Sequence, residues 1–197
     1  MKIGVLAVQG DFAAHKHALS RIGVDAVEVR RPADIEKIDG LIIPGGESTT
    51  MLKFITEERL GSAIEGFANE GKPLFGTCAG AILLAREVKN PSQASLALID
   101  IAVERNSYGR QVDSFIGQAE SSFEGGPLEA VFIRAPRIKE VGPNVTVLAT
   151  VSGEPVLVRE GNILVATFHP ELTQDTRTHQ FFVNIAGGDS RIQDLRL

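Results

Sequence analysis

The single cysteine of the chain stands between two glycines, in a pattern that can position a nucleophile. Gly76, Cys78 and Gly80 form G-x-C-x-G, the cysteine counterpart of the G-x-S-x-G nucleophile elbow. A nucleophile on such a strained strand-to-helix turn leaves no room for a Cβ atom two residues to either side, and the helix N-terminus that follows stabilises a thiolate. Cys78 is therefore a candidate nucleophile. The alternative is that it is a small core residue.

His169 and Glu171 form a second reactive pair, which follows an apolar run over residues 163–166. Side chains two residues apart at the end of a strand can reach the same side, which suits a base and the carboxylate that orients it. A thiol nucleophile needs such a base, and the base needs a partner that fixes its tautomer. We therefore expect a Cys78–His169–Glu171 triad. A surface histidine beside Pro170 is the alternative.

Two further glycines follow the apolar run over residues 40–43, in the segment PGGESTT of residues 44–50. A glycine pair after a parallel strand lets backbone N–H groups turn toward a ligand, as in an oxyanion site. Ser48 or Thr49 is expected to cap the next helix. A plain strand-to-helix turn is the alternative. This segment and the Cys78 turn both follow strands, and open α/β sheets place their sites at the carboxyl ends of strands. The two signals therefore support each other.

The elements that carry these residues alternate between strand and helix in the first half of the chain. Strands at 2–8 and 24–29 enclose a helix that Asp11 can cap, which gives a β-α-β unit and implies a parallel sheet. The apolar face of that helix comprises Phe12, His15, Leu19 and Ile22. We expect His15 and His17 to be surface or boundary residues. Further helices are predicted at 34–38, 51–60, 62–69 and 79–85.

Strand-like runs separated by turn signals dominate the second half. They lie at residues 99–103, 111–118, 130–133, 145–151, 155–158 and 163–166, and a last helix is predicted at 178–185. His179 on that helix is expected to be structural. The predicted fold is α/β, with a flavodoxin-like, open, mostly parallel sheet, flanking helices and added antiparallel strands in the second half. Residues 1–197 are expected to form a single domain.

Composition and charge exclude several classes of protein. The 197 residues are 43% hydrophobic and 23% charged, as in ordinary globular proteins. The net charge of −5 argues against nucleic acid or an anionic membrane as the main partner. One cysteine excludes an internal disulfide or a cysteine-rich metal site and fits a reducing cytoplasm. We expect a cytoplasmic protein with no signal peptide and no membrane span.

Taken together, the segments at 44–50, 76–80 and 168–172 resemble class I, triad-type glutamine amidotransferases. VERNSYGRQ at 103–111, FIRAP at 132–136 and VQGD at 8–11 narrow the resemblance to the glutaminase subunits of two-subunit pyridoxal 5′-phosphate synthases. The resemblance extends from Met1 to about Phe182, with the motifs in family order. The tail beyond Ile185 has no match.

The resemblance implies hydrolysis of L-glutamine to L-glutamate and ammonia, which passes to a partner synthase subunit that makes the cofactor of the vitamin B6 pathway. Cys78 would attack the carboxamide, His169 would transfer protons and Glu171 would orient His169. The Gly46 and Ala79 N–H groups would bind the oxyanion. The implied substrate-binding positions are Gly46, Glu47, Ser48, Arg105, Ile133 and Arg134. No metal or organic cofactor is expected, because thiol, imidazole and backbone suffice.

Other functions stay open at this point. The chain could serve another amidotransferase, such as imidazole glycerol phosphate synthase, although the segments around Arg105 and Arg134 argue against it. It could also be a non-catalytic regulator or a stress-related protein on a similar sheet, although such proteins often lack the downstream His-Pro-Glu. Outside its segment, Arg105 would be a surface or ion-pair arginine.

Overall fold

A computed structural model describes residues 1–105 and 114–188 of the chain. Three sequence predictions fall partly outside these residues: the later part of the segment at 103–111, the start of the strand at 111–118, and the end of the tail. The described residues form twelve strands: β1 (Ile3–Leu6), β2 (Ala26–Val29), β3 (Gly40–Ile43), β4 (Leu74–Thr77), β5 (Ala85–Lys89), β6 (Ile99–Glu104), β7 (Ser114–Ser121), β8 (Leu128–Ile133), β9 (Arg137–Val141), β10 (Thr146–Val151), β11 (Glu154–Glu160) and β12 (Ile163–Ala166).

Six α-helices and one short 3₁₀ turn accompany the strands in the described part of the chain. The helices are α1 (Phe12–Arg21), α2 (Pro32–Ile35), α3 (Ser48–Glu57), α4 (Leu60–Asn69), α5 (Ala79–Leu84) and α6 (Arg177–Ala186), and the 3₁₀ turn is Pro170–Leu172. None of the helices in residues 1–105 and 114–188 is both long and apolar enough to cross a lipid bilayer.

The main sheet has nine strands in the order β2-β1-β3-β4-β12-β11-β10-β7-β8. The first five are parallel to one another, and their order is the one typical of flavodoxin-like sheets. From β12 onward the neighbours are antiparallel. The predicted fold class is thereby confirmed: a parallel α/β core with antiparallel strands added by the second half of the chain.

A second sheet of three strands, in the order β5-β6-β9, lies beside the main one. Neither β5 nor β9 was predicted from the sequence. The segment AREVK of β5 continues the helical pattern of α5, and RIKEV of β9 has three charged residues among five. Both strands form because β6 pairs with them on its two sides, which is a tertiary effect.

The core occupies both faces of the parallel strands, because successive side chains of a strand point to opposite faces. Leu74 of β4 packs with α3, α4 and α5 on one face, whereas Phe75 packs with α1 and α6 on the other. On β12, Val165 joins the first cluster, and Leu164 and Ala166 join the second. Strands covered on both faces are continuous apolar runs, which is why these elements were predictable.

The segments that follow β1, β3, β4 and β12 converge at one edge of the sheet. The Asp11 N–H donates to the carbonyl of Gly45 over 3.2 Å, and the Cys78 N–H donates to the carbonyl of Ala166 over 2.9 Å. This edge is the carboxyl end of the parallel strands. The fold thus brings the three reactive segments of the sequence to one place, as expected for open α/β sheets.

Candidate active site

Cys78 occupies a strained turn between β4 and α5. Its φ and ψ are 48° and −101° at the N-cap of the helix, a region that non-glycine residues rarely adopt. A Cβ atom on Gly76 would lie 2.7 Å from the carbonyl oxygen of Gly80, and one on Gly80 would lie 2.0 Å from that of Ile43. The two glycines are therefore required by close backbone contacts, as the G-x-C-x-G spacing predicted.

The side chain of Cys78 is 6% exposed and faces a cavity of about 310 Å³. The thiol donates a long hydrogen bond of 3.8 Å to the carbonyl of Ile133. Nine of the ten predicted site residues line this cavity: Gly46, Glu47, Ser48, Cys78, Ala79, Arg105, Ile133, Arg134 and His169. A cavity of this size holds a small polar molecule. The structure brings the predicted residues together.

The tenth predicted residue, Glu171, lies behind His169 rather than on the cavity wall. His169 Nδ1 is 2.7 Å from Oε1 of Glu171, and both side chains are buried. Burial by itself lowers the pKa of His169, but hydrogen bonds and charge interactions with Cys78 and Glu171 raise it to about 10. His169 is therefore an imidazolium at neutral pH, and its Nδ1–H donates to the carboxylate.

Burial favours the neutral form of Glu171, but the nearby His15 and His169 outweigh this effect and hold the pKa of Glu171 below its usual value. The carboxylate stays ionised because it faces these two imidazoles. An imidazolium between a thiol and a carboxylate can give a proton to a departing amine and later take one from water.

Two backbone N–H groups are candidates for an oxyanion site. Ala79 is the first residue of α5, so its N–H has no partner within the helix. The other candidate is the N–H of Gly46, whose peptide bond with Gly45 has its carbonyl directed at the N–H of Asp11. Since the N–H and C=O of a trans peptide point in opposite directions, this contact fixes the orientation of the Gly46 N–H.

Glu47 caps α3, where the sequence predicted Ser48 or Thr49. Its carboxylate accepts from the backbone N–H groups of Thr49 and Thr50 over 3.3 and 2.7 Å. Hydrogen bonds from the Thr49 and Thr50 side chains and backbone lower the pKa of Glu47 to about 2, against a smaller effect of burial. The predicted cap was wrong. Glu47, the residue just before α3, has a side chain long enough to reach two N–H groups of the first helical turn, so it takes the place that a serine or threonine usually occupies.

A cationic wall of the cavity faces this carboxylate. Arg105 Nη2 lies 3.6 Å from Oε1 of Glu47, and only 14% of the Arg105 side chain is exposed. Arg134 lines the same cavity and has a φ of 44°. The cavity therefore offers positive charge beside Glu47, which suits a ligand that carries both a carboxylate and an ammonium group.

The described residues hold one group of side chains with metal-ligand spacing, Asp11, His169 and Glu171, whose ligand atoms lie within 4.8 Å of one another. His169 Nδ1 in this group is already bonded to Glu171, and Asp11 Oδ2 is 3.9 Å from the same nitrogen. The geometry of the pair is that of a hydrogen bond between an imidazolium and a carboxylate.

A model of the SNO glutamine amidotransferase family matches residues 5–186. The chain belongs to this family. It is 55% identical over 185 residues to the pyridoxal 5′-phosphate synthase subunit PdxT of Koribacter versatilis, covering 94% of this chain and 95% of that protein. It is 53% identical to the subunit of the same name from Thermotoga maritima, covering 94% and 99%.

Solved structures of other proteins share the fold of this chain. A crystal structure of a glutamine amidotransferase superimposes with a TM-score of 0.88 at 48% identity, covering 94% of this chain and 98% of that one. The structure of PurLQS from Thermotoga maritima has a TM-score of 0.73 at 19% identity, covering 93% of this chain and 97% of the matched one. The second likeness concerns the fold alone.

Several site residues of this SNO-family chain were not predicted from the sequence. Gln9 and Asp11 line the cavity, and Gln9 Oε1 accepts from the Glu47 N–H over 2.9 Å. The segment VQGD indicated a family resemblance, and its Asp11 a helix cap, but neither predicted a place on the cavity wall, although the position after β1 puts the segment at the same sheet edge. A Cβ on Gly10 would lie 1.8 Å from the Gly45 carbonyl oxygen, which explains the glycine.

The expectation that His15 lies at the surface or its boundary was wrong. The side chain is fully buried, and its Nε2 lies 3.3 Å from Oε2 of Glu171. It also contacts His179 and Thr77 over 3.0 and 3.1 Å. His17 is exposed, as predicted, and His179 is buried in the core, as expected of a structural residue.

Proposed function

We propose that the chain is the glutaminase subunit of a pyridoxal 5′-phosphate synthase. It hydrolyses L-glutamine to L-glutamate and ammonia, and the ammonia passes to a synthase subunit that builds pyridoxal 5′-phosphate. The observation that carries the proposal is the pair Cys78 and His169 on one cavity wall, with Glu171 bonded to His169 behind it, in a chain 55% identical to a pyridoxal 5′-phosphate synthase subunit. Residues 1–197 act as one glutaminase domain.

The first half of the reaction forms a thioester. Cys78 attacks as a thiolate, its proton having passed to Nε2 of His169, and Sγ bonds to the side-chain carbonyl carbon of glutamine. The charge moves to the carbonyl oxygen, which accepts from the N–H groups of Ala79 and Gly46. The C–N bond then breaks as His169 transfers its Nε2 proton to the nitrogen, which leaves as ammonia. The raised pKa of His169 supports this role, since it provides a protonated imidazole at neutral pH.

The second half restores the thiolate. His169, now neutral, takes a proton from a water molecule that attacks the thioester carbon, and the C–S bond breaks to release glutamate. Glu171 holds the Nδ1–H of His169 throughout, which keeps Nε2 directed at the sulfur. The 2.7 Å distance between His169 and Glu171 supports this part of the proposal.

Substrate binding is assigned to the charged wall of the cavity. The guanidinium of Arg105 suits the α-carboxylate of glutamine and Glu47 suits its α-ammonium group, with Arg134 adding positive charge to the wall. Their positions on one cavity with Cys78 support this assignment. Gly46, Ser48 and Ile133 supply backbone and side-chain contacts to the substrate.

A partner controls the reaction through the glycine pair. The carbonyl of Gly45 accepts from the N–H of Asp11, so a rotation of this peptide that reorients the Gly46 N–H requires that contact to break. Residues 9–11 follow β1 at the sheet edge, and docking of the synthase subunit there would shift this equilibrium. The activity belongs in the cytoplasm, where the single thiol stays reduced.

The test is the release of products by the purified chain mixed with a synthase subunit. We expect glutamate and ammonia in equal amounts from the wild-type protein and neither from Cys78→Ala. Asparagine, which is one methylene shorter, serves as the control substrate. Glutamine hydrolysis that persists in Cys78→Ala would contradict the proposal.

A further inference from the structure

A row of buried polar groups continues beyond the proposed triad, on the side away from the cavity. His15 Nε2 lies 3.3 Å from Oε2 of Glu171, the carboxylate oxygen that His169 does not use. His15 Nδ1 lies 3.0 Å from Nε2 of His179. His15 and His179 are fully buried, between α1, α6 and the sheet. His15, which is far in sequence from Glu171 and His179, thus completes a contiguous row of side chains.

The contact between His15 and Glu171 requires a proton on Nε2 of His15. Without it, a nitrogen lone pair would face a buried carboxylate oxygen at 3.3 Å, and both groups accept hydrogen bonds. Glu171 Oε2 has no hydrogen-bond partner of standard geometry among the described residues, so the 3.3 Å approach of His15 Nε2 offers it a donor, and a buried charge without a partner is costly. Thr77 Oγ1, 3.1 Å from the same nitrogen, can share the N–H.

The contact between His15 and His179 then fixes the second histidine. If His15 is neutral with its proton on Nε2, its Nδ1 accepts, and Nε2 of His179 must donate. The opposite tautomer would leave His179 with a buried N–H at Nδ1, an atom that has no partner in the described part of the chain. One arrangement of protons therefore satisfies both the carboxylate and the histidine pair.

The charged groups around the pair agree with a neutral His15. Burial lowers the pKa of His15 against the opposing effects of Glu171 and Asp11, and His169 lowers it further. Burial also lowers the pKa of His179 to about 3, with further lowering by His15 and by Arg21. Both imidazoles are therefore uncharged at neutral pH, and each has one proton to place.

We propose that His15 is a positioning residue for the glutaminase reaction, a neutral imidazole that donates from Nε2 to Oε2 of Glu171 while His179 donates to its Nδ1. Through this contact His15 holds the carboxylate in the plane that His169 needs and keeps it ionised. The inference rests on the proposed function for its catalytic meaning. The tautomer of His15 can be measured independently of any activity.

The first measurement is a long-range ¹H–¹⁵N correlation spectrum of the full chain, which reports which nitrogen of a neutral histidine carries the proton. The chain has four histidines, and exposed His17 serves as the reference for an unconstrained ring. We expect the Nε2–H tautomer for both His15 and His179 at neutral pH. A proton on Nδ1 of His15, or an imidazolium, would overturn the proposal.

The second measurement compares variants at saturating synthase subunit. His15→Leu removes the donor, His15→Gln keeps an N–H group near the position of Nε2, and His17→Leu is the control on the same helix. For His15→Leu we expect kcat to fall by up to about tenfold, because His15 acts on His169 only through the Glu171 carboxylate, with KM within about twofold. His15→Gln should recover most of the loss, and His17→Leu should match the wild type.

The pH profile of kcat separates positioning from a structural role. Without the His15 donor the carboxylate is less stable when charged, so His169 loses its proton more easily and the alkaline decline of kcat moves to lower pH. A lower kcat with an unchanged profile, or an unchanged kcat in a folded His15→Leu protein, would overturn the proposal. If His15→Leu does not fold, the proposal is tested by the pH profile of kcat for His15→Gln and by the tautomer of His15 in the wild-type protein. A wild-type chain without glutaminase activity would refute the proposed function and leave the tautomer result standing.

Discussion

Replacing Glu171 with glutamine tests whether its charge, and not only its shape, supports His169. Glu171→Gln keeps the size of the side chain, and the amide oxygen can still accept from Nδ1–H of His169 in place of Oε1, 2.7 Å away in the wild type. The negative charge is lost. The substitution therefore changes the strength of one contact in a site that is otherwise intact.

The expected loss follows from the difference between a charged and a neutral hydrogen bond. Bonds to charged groups contribute about 1.5–3 kcal/mol and neutral ones about 0.5–1.5 kcal/mol. Because Glu171 is buried, solvent screens little of this difference, which we take as about 1.4 kcal/mol. That corresponds to a roughly tenfold fall in kcat and to a fall of about one unit in the pKa of His169.

The direction of the pH effect follows from the raised pKa of His169. The imidazolium is the form that protonates the leaving ammonia, so activity should decline as the pH rises through about 10. The positive charge of His169 also stabilises the folded protein. This contribution is fully present below 6.5, the pKa of histidine in the unfolded chain, and is lost as the pH rises toward about 10. In Glu171→Gln the decline of activity should begin at lower pH, whereas the loss of stability should begin at the same pH, end at lower pH and be smaller.

The assay is glutamate release at saturating glutamine and synthase subunit, followed across the neutral and alkaline range. Glu65→Gln on the exposed face of α4 is the matched control and should leave the profile unchanged. A Glu171→Gln profile that coincides with the wild type would refute the idea that the carboxylate raises the pKa of His169. If Glu171→Gln lowered kcat as much as His169→Asn does, the charge of Glu171 and its role in orienting His169 could not be separated by this substitution.

Four further outcomes are expected. A glutamine-like electrophile should label Cys78 alone, and Cys78→Ser should fold normally, checked by thermal unfolding, with residual turnover more than about tenfold below wild type. His169→Asn should cost orders of magnitude in kcat, and Glu171→Ala clearly less; equal losses would contradict the assigned roles. Arg105→Ala should weaken glutamine binding roughly ten- to a hundredfold. The affinity is measured by titration calorimetry in the Cys78→Ala background, and an unchanged affinity would show that Arg105 does not bind the substrate. The isolated chain should be a poor glutaminase, and saturating synthase subunit should raise its initial rate on the order of a hundredfold, a shift of about 3 kcal/mol; equal rates would show a site already assembled.

The reactive centre was predictable from sequence because each of its parts has a local signal. Gly76 and Gly80 report the close backbone contacts around Cys78. The parallel strands that end at this edge are buried on both faces, so their positions show as apolar runs. Their carboxyl ends meet by topology, which brought Cys78 and His169 to one cavity without any pairwise information.

The buried residues that hold the reactive centre in place, such as His15, were not predictable, because their contacts join residues far apart in sequence. His15 occupies the apolar face of an amphipathic helix, and nothing near it in sequence distinguishes a buried imidazole from a boundary one. Its partners Thr77, Glu171 and His179 are 62 to 164 residues away. The strand β9 illustrates the same limit, since its charged sequence becomes a strand only through pairing with β6.

Glu47 shows a different limit. The sequence offered a serine and a threonine as caps for α3, and both are favoured cap residues. The glutamate before them reaches the first-turn N–H groups and also faces Arg105 over 3.6 Å. Glu47 thus caps the helix and also pairs with Arg105 at the cavity. Local sequence propensity can indicate the cap, but it carries no information about the contact with Arg105.

The most direct test of the account is transfer of the amide nitrogen from glutamine to the product of the complex. The complex of this chain with its synthase partner is supplied with [amide-¹⁵N]glutamine and the sugar phosphates, and the cofactor is analysed by mass spectrometry. We expect ¹⁵N in pyridoxal 5′-phosphate with the wild-type chain and none with Cys78→Ala, while both complexes use free ammonium. Labelled cofactor from the Cys78→Ala complex, or glutamine hydrolysis that never labels the cofactor, would contradict the account.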